Sequence, residues 1–172
     1  MSYKKKVLII TYYWPPSGGS GVQRWLKFSK YLRDFNIEPV IYTVDNPSYP
    51  INDTSLESEI PLGLEVLKQP IFEPNSFLSI FGNNKKKESA GFLNPNPTLL
   101  GRFFQYVRAN YFIPDARKFW IIPSVKFLSN YLKNNKIDAI ITTGPPHSMH
   151  LVGLALRDKF KIKWISDFRD PW

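Results

Sequence analysis

Apolar positions along the chain follow two periods. Unbroken runs at Val7-Leu8-Ile9-Ile10, Pro39-Val40-Ile41-Tyr42-Thr43-Val44 and Asp138-Ala139-Ile140-Ile141-Thr142 predict buried strands, with weaker ones at Leu64-Glu65-Val66-Leu67 and Ile162-Lys163-Trp164-Ile165. Between them the spacing changes. Val22, Trp25, Leu26, Ser29 and Leu32 fall on one helical face. Leu100, Phe103, Phe104, Val107 and Tyr111 predict a second helix, Val125, Leu128 and Leu132 a third after Pro123, and Leu151, Leu154 and Ala155 a fourth. Residues 70 to 97, with their prolines, asparagines and Lys85-Lys86-Lys87, read as a long loop. No internal repeat is visible. This alternation predicts an α/β fold: a doubly wound, mainly parallel, Rossmann-like sheet in a single domain over residues 1–172.

Composition narrows the setting. The 172 residues are enough for one domain with a real core. The chain has no cysteine, so it has neither a disulfide framework nor a thiolate metal site, which agrees with a cytoplasmic location. Lys4-Lys5-Lys6 and the apolar residues after them imitate a secretory signal, but the run breaks at Thr11-Tyr12-Tyr13, too short for an h-region. No run approaches the ~20 apolar residues that span a bilayer, so any membrane contact is peripheral.

The formal charge of +9 is unevenly spread. From Asn46 to Phe81 the acids Asp53, Glu57, Glu59, Glu65 and Glu73 face only Lys68. From Gly82 to Lys133 the bases, Lys85, Lys86, Lys87, Arg102, Arg108, Arg117, Lys118, Lys126 and Lys133, face only Glu88 and Asp115. This middle is either a solvated basic surface or one that prefers an anionic partner, whether a phosphate, a lipid headgroup or a nucleic acid. The stretch Thr98 to Trp120 joins an apolar stripe to Arg102, Arg108, Arg117 and Lys118, a composition that suits either a helix packed on the sheet or a contact with the anionic inner face of the cytoplasmic membrane.

Three unusual stretches each follow a predicted strand directly. They are Trp14-Pro15-Pro16-Ser17-Gly18-Gly19-Ser20-Gly21, Thr143-Gly144-Pro145-Pro146-His147-Ser148 and Asp167-Phe168-Arg169-Asp170-Pro171-Trp172. In open parallel sheets ligands lie outside the carboxyl ends of the strands, where strand order reverses, so the three should converge on one crevice. The glycine bend is expected to offer amide donors at a helix start, with Ser17 and Ser20 as added hydroxyls. Pro146 suits the first helical position, which places His147 at a helix start facing the crevice and His150 one turn on, toward the helix flank. Asp167, Arg169 and Asp170 form either a base with an orienting partner or an ion cluster bracing the turn. The histidines and aspartates lack a metal-ligand spacing.

These stretches, with Val7 to Pro16 and Gly18 to Arg24 taken together, resemble the amino-terminal half of a family 4 (group 1) retaining glycosyltransferase. The motifs occur in family order and span almost the whole chain. The resemblance implies one half of a GT-B architecture, in which an amino-terminal acceptor-side domain faces a carboxyl-terminal domain that holds most of the nucleotide-sugar. That second domain is not among these residues, so the chain is expected to be truncated and inactive alone. The implied co-substrate is a nucleotide-sugar, with no other cofactor and no metal. The implied partner is a glycan or lipid-linked acceptor, as in cell-surface polysaccharide or glycolipid synthesis. By the same resemblance His147 and Asp170 are the catalytic candidates. Gly18, Gly19, Ser20, Arg24, Ser148 and Arg169 are the candidates for binding donor or acceptor.

Two other classes fit part of the pattern. Gly19-x-Gly21 after a strand, with Asp45 ending the second, imitates an NAD(P) fingerprint, although Arg24 takes the place of its third small residue. A non-catalytic anion- or membrane-binding module would use the basic middle on nucleic acid or a membrane surface, where Tyr106, Tyr111, Phe112 and Trp120 lie among the bases and could stack on single strands. No nucleic-acid-binding signature accompanies them, and nucleic acid is not an expected partner.

Overall fold

Five parallel strands form one sheet in the order β3-β2-β1-β4-β5. The computed structural model describes residues 4–47, 49–72 and 113–169. The strands are β1 (Lys5–Ile10), β2 (Ile37–Val44), β3 (Glu65–Gln69), β4 (Ala139–Gly144) and β5 (Lys163–Phe168). The helices are α1 (Ser20–Tyr31), α2 (Ile121–Asn134) and α3 (Ser148–Phe160). The order runs outward from β1 in both directions, which puts the reversal of strand order between β1 and β4. The doubly wound α/β fold expected from the alternation is therefore the fold of this chain.

The unbroken apolar runs have a simple cause: the central strands are covered on both faces. Leu8, Ile10, Val40, Tyr42 and Ile140 point to one side, where Leu128 of α2 and Met149, Val152 and Leu156 of α3 close over them. Val7, Ile9 and Ile41 point to the other, against Val22, Trp25 and Leu26 of α1. The register aligns the layers, with Leu8 beside both Val40 and Ile140, and Ile9 beside both Ile41 and Ile141. After α1 a short 3-10 turn, Leu32–Phe35, ends at Asn36 with φ of 58°, a left-handed position that asparagine tolerates better than most residues.

Three expectations are corrected. Helix α3 starts at Ser148 with His147 as its cap, not at Pro146, because the Asp115 carboxylate accepts the Ser148 N–H at 2.7 Å and its hydroxyl at 2.8 Å. Strand β5 runs on to Phe168, since β4 reaches Gly144 and pairs Thr143 with Asp167 and Gly144 with Phe168. Asp167 and Phe168 thus belong to a strand rather than to the loop after it. His150 does not face the helix flank; it is 6% exposed and turned toward β4. The helix expected around Leu100 to Tyr111, Lys85-Lys86-Lys87 and Asp170 lie outside the described residues.

Candidate functional site

The glycine bend is built in two parts. Its first part is pinned by residues 51–53: the Gly18 N–H donates to the Ile51 carbonyl at 2.9 Å, the Asp53 N–H donates to the Pro16 carbonyl at 2.7 Å, and Ser17 bridges Asn52. The Gly18 amide, expected to face a ligand, is therefore occupied within the protein, and Ser17 is buried. The second part, Gly19 to Gly21, is the start of α1. Gly19 caps it with φ of 106°, a conformation that favours glycine, and no side chain caps the helix. The first turn holds no acidic residue, so the positive end of the helix dipole stays uncompensated there by any carboxylate on α1 itself.

Two guanidinium groups border this turn. A Cβ built on Gly21 would lie 1.7 Å from Arg169 Nη1, so the absence of a side chain at Gly21 lets the Arg169 guanidinium lie directly on the helix start. Arg24 Nη2 donates to Asp167 Oδ1 at 2.9 Å. Asp167 Oδ2 also accepts from the Trp25 indole at 3.2 Å and from the Thr143 hydroxyl at 3.1 Å. One carboxylate therefore ties α1, β4 and β5 together and holds Arg24 at the crevice. Of the two roles open to this acidic cluster, the geometry gives Asp167 the bracing one.

The other wall is made by α3 and the opposite face of β5. The His147 ring lies 5.7 Å from that of His150 and 5.8 Å from that of Phe168, while His150 and Phe168 are 4.1 Å apart. Gly144 makes this closeness possible, because a Cβ there would lie 2.7 Å from His150 Nε2 and 3.1 Å from His147 Nδ1. His150 Nδ1 is 2.8 Å from the Thr142 hydroxyl, which also accepts from the Trp164 indole at 2.9 Å. An indole N–H only donates, so the Thr142 oxygen accepts from Trp164 and shares a second hydrogen bond with His150 Nδ1. Nε2 is buried without a hydrogen-bond partner among the described residues. Burial pushes the His150 pKa below its ordinary value, and His147 adds to the shift against the opposing carboxylates Asp167 and Asp115.

The structure thus brings the three loops together. Gly19, Ser20, Arg24 and Arg169 meet at the start of α1, and His147 stands across β4 from them. Ser148 is fully buried, with its amide and hydroxyl both bonded to Asp115, so it anchors α3 instead of lining the crevice. Asp115 is the residue that sequence reading missed. Its local signal is an aspartate after Pro114 whose carboxylate accepts the Arg117 N–H at 2.8 Å. No group of side chains able to hold a metal ion, and no helix long and apolar enough to cross a membrane, occurs among the described residues.

No protein-family model and no curated protein matches the chain. Among solved structures it is similar to the C-terminal domain of a hydrogenase from Pyrococcus furiosus. One crystal structure of that domain has 14% identity and a TM-score of 0.47, covering 96% of this chain and 93% of that one. A second has 15% identity and a TM-score of 0.46, covering 98% and 94%.

Proposed function

We propose that this chain is the acceptor-side domain of a retaining glycosyltransferase of GT-B architecture, working with a donor-binding domain beyond these residues. The observation that carries the reading is the uncapped start of α1, bordered by Arg24 and Arg169 and opening at the reversal of strand order opposite His147. An N-terminal helical turn with two guanidiniums suits a diphosphate, and it stabilises negative charge on a leaving nucleotide as the sugar departs. In this reading His147, at the start of α3, contacts the sugar or the acceptor hydroxyl. No side chain is assigned as a nucleophile: the acceptor hydroxyl attacks the anomeric carbon from the face the diphosphate leaves, its proton passes to the departing phosphate oxygen, and the helix start and guanidiniums stabilise the remaining charge. The protein would work in the cytoplasm on a glycan or lipid-linked acceptor, and contact with an anionic membrane surface belongs to the same proposal.

The test is transfer from nucleotide-sugars by the complete protein, with the anomeric configuration of the product determined. His147→Ala should lower turnover roughly tenfold or more while leaving the unfolding temperature nearly unchanged. No transfer from any nucleotide-sugar, or a large loss of stability with activity per folded molecule intact, would contradict the reading. One observation favours an NAD(P)-binding domain instead: Asp45 is exposed just past the end of β2, beside β1, where such domains hold a ribose. Tight binding of NAD to this chain in calorimetry would select that alternative.

A further inference from the structure

Next to the cationic crevice, on the α3 side of β5, lies a cavity of about 470 Å³. This is within the size range of small-molecule sites, ~300–1,000 Å³. Leu151, Leu154, Trp164, Phe168 and Pro114 make most of its wall, and the two histidines complete it. The polar atoms of these side chains are largely turned away or engaged. The Trp164 indole N–H and His150 Nδ1 both bond to Thr142, and His150 Nε2 lies against Gly144. What faces the cavity is therefore almost entirely carbon. A sugar ring placed there would bury hydroxyls with nothing to bond, whereas a hydrocarbon group loses no hydrogen bond and leaves water. The rim is open, with Leu151 41% and Phe168 54% exposed, so an apolar group can enter while still attached to a polar remainder outside.

We infer that this cavity holds an alkyl or prenyl group of the acceptor, whose polar end reaches His147. The inference deepens the glycosyl-transfer reading and rests on it for the identity of the bound molecule as acceptor. Phe168 and Asp167 are adjacent on β5 and face opposite sides of the sheet, so one strand separates the hydrocarbon side from the phosphate side. The two ends of an amphipathic substrate would then be sorted by chemistry before any reaction occurs.

The probe is n-octyl β-glucoside below its critical micelle concentration, with methyl β-glucoside as control, titrated into the 172-residue chain and followed by NMR. Saturable shifts at the Leu151 and Leu154 methyls and the Trp164 indole are expected with the octyl compound and none with the methyl one. Leu151→Glu, at the exposed rim, should weaken octyl binding about tenfold without changing the unfolding midpoint, and Leu154→Arg should abolish it. An equal response to methyl glucoside, no saturable shift, or shifts that follow protein concentration and so report a second copy in the cavity would each overturn the inference. Glycosyl transfer by the complete protein without octyl binding would overturn the inference and leave the transferase reading intact. Octyl binding in a protein without transferase activity would support the cavity and overturn that reading.

Discussion

The two walls of the crevice share a strand and almost nothing else. On the α1 side, polar groups hold one another: Asp167 gathers Arg24, Trp25 and Thr143, and Arg169 lies on the start of the helix. On the α3 side, rings and aliphatic chains pack around two imidazoles, and the central polar contact is the buried chain from Trp164 through Thr142 to His150. The alternation of β5 produces the contrast, because neighbouring residues of a strand point to opposite faces. Ion pairing and helix dipole shape one wall and packing shapes the other, so the two should fail in different ways when altered.

The largest effect is expected on the polar wall. Asp167→Ala removes the acceptor of three donors, one of them the largely buried Trp25 indole, and should cost about 2–3 kcal/mol in urea unfolding. A loss below about 0.5 kcal/mol would mean that the wall is not held through this carboxylate. On the apolar wall the corresponding change is Gly153→Ala. The added Cβ would come within 2.5 Å of both Thr142 Cγ2 and Trp164 Nε1, pushing α3 off β4 and β5. Overpacking of this kind should cost about 1–2 kcal/mol and disturb the Trp164 indole resonance. An unchanged indole signal would show that the helix is not seated as described.

A smaller effect separates the walls by pH. The folded pKa of His150 lies below its ordinary value, so the unfolded chain takes up a proton at this residue before the folded one does. Its contribution to stability is complete above about pH 6.5 and is lost as the pH falls through the folded value. His150→Gln should flatten the dependence of the urea midpoint on pH below 6.5, while Arg24→Ala should leave it as it is. The same slope in His150→Gln and the parent protein would contradict the buried, neutral imidazole.

Much of this architecture was legible in the sequence, and the rest was hidden for physical reasons. Runs such as Val7 to Ile10 and Ile140 to Thr142 announced strands covered on both faces, and the face from Val22 to Ser29 announced α1. The convergence of the three loops followed from the parallel sheet alone. Asp115 was not legible as the anchor of α3, because its partner Ser148 is 33 residues away and no periodic pattern links them. The pinning of Gly18 by residues 51–53 was hidden in the same way, since a polar loop without periodicity gives no sign of what it will pair with. His150 was misplaced because helical spacing gives a residue's angle around the axis but not the hydroxyl on β4 that draws it inward. Asp167 carries the sequence pattern of a loop residue because the apolar run of β5 stops at Ile165, although the ladder with β4 continues.

The central claim is that the start of α1, between Arg24 and Arg169, receives a diphosphate. Its most direct test is titration of this chain with inorganic pyrophosphate, following the backbone amides by NMR. The expected result is a salt-sensitive shift of the Gly19, Ser20 and Gly21 amides that is weakened in Arg24→Ala and in Arg169→Ala and absent from Leu151 and Leu154. Silent amides at Gly19 to Gly21, or a response that survives loss of both arginines, would contradict it.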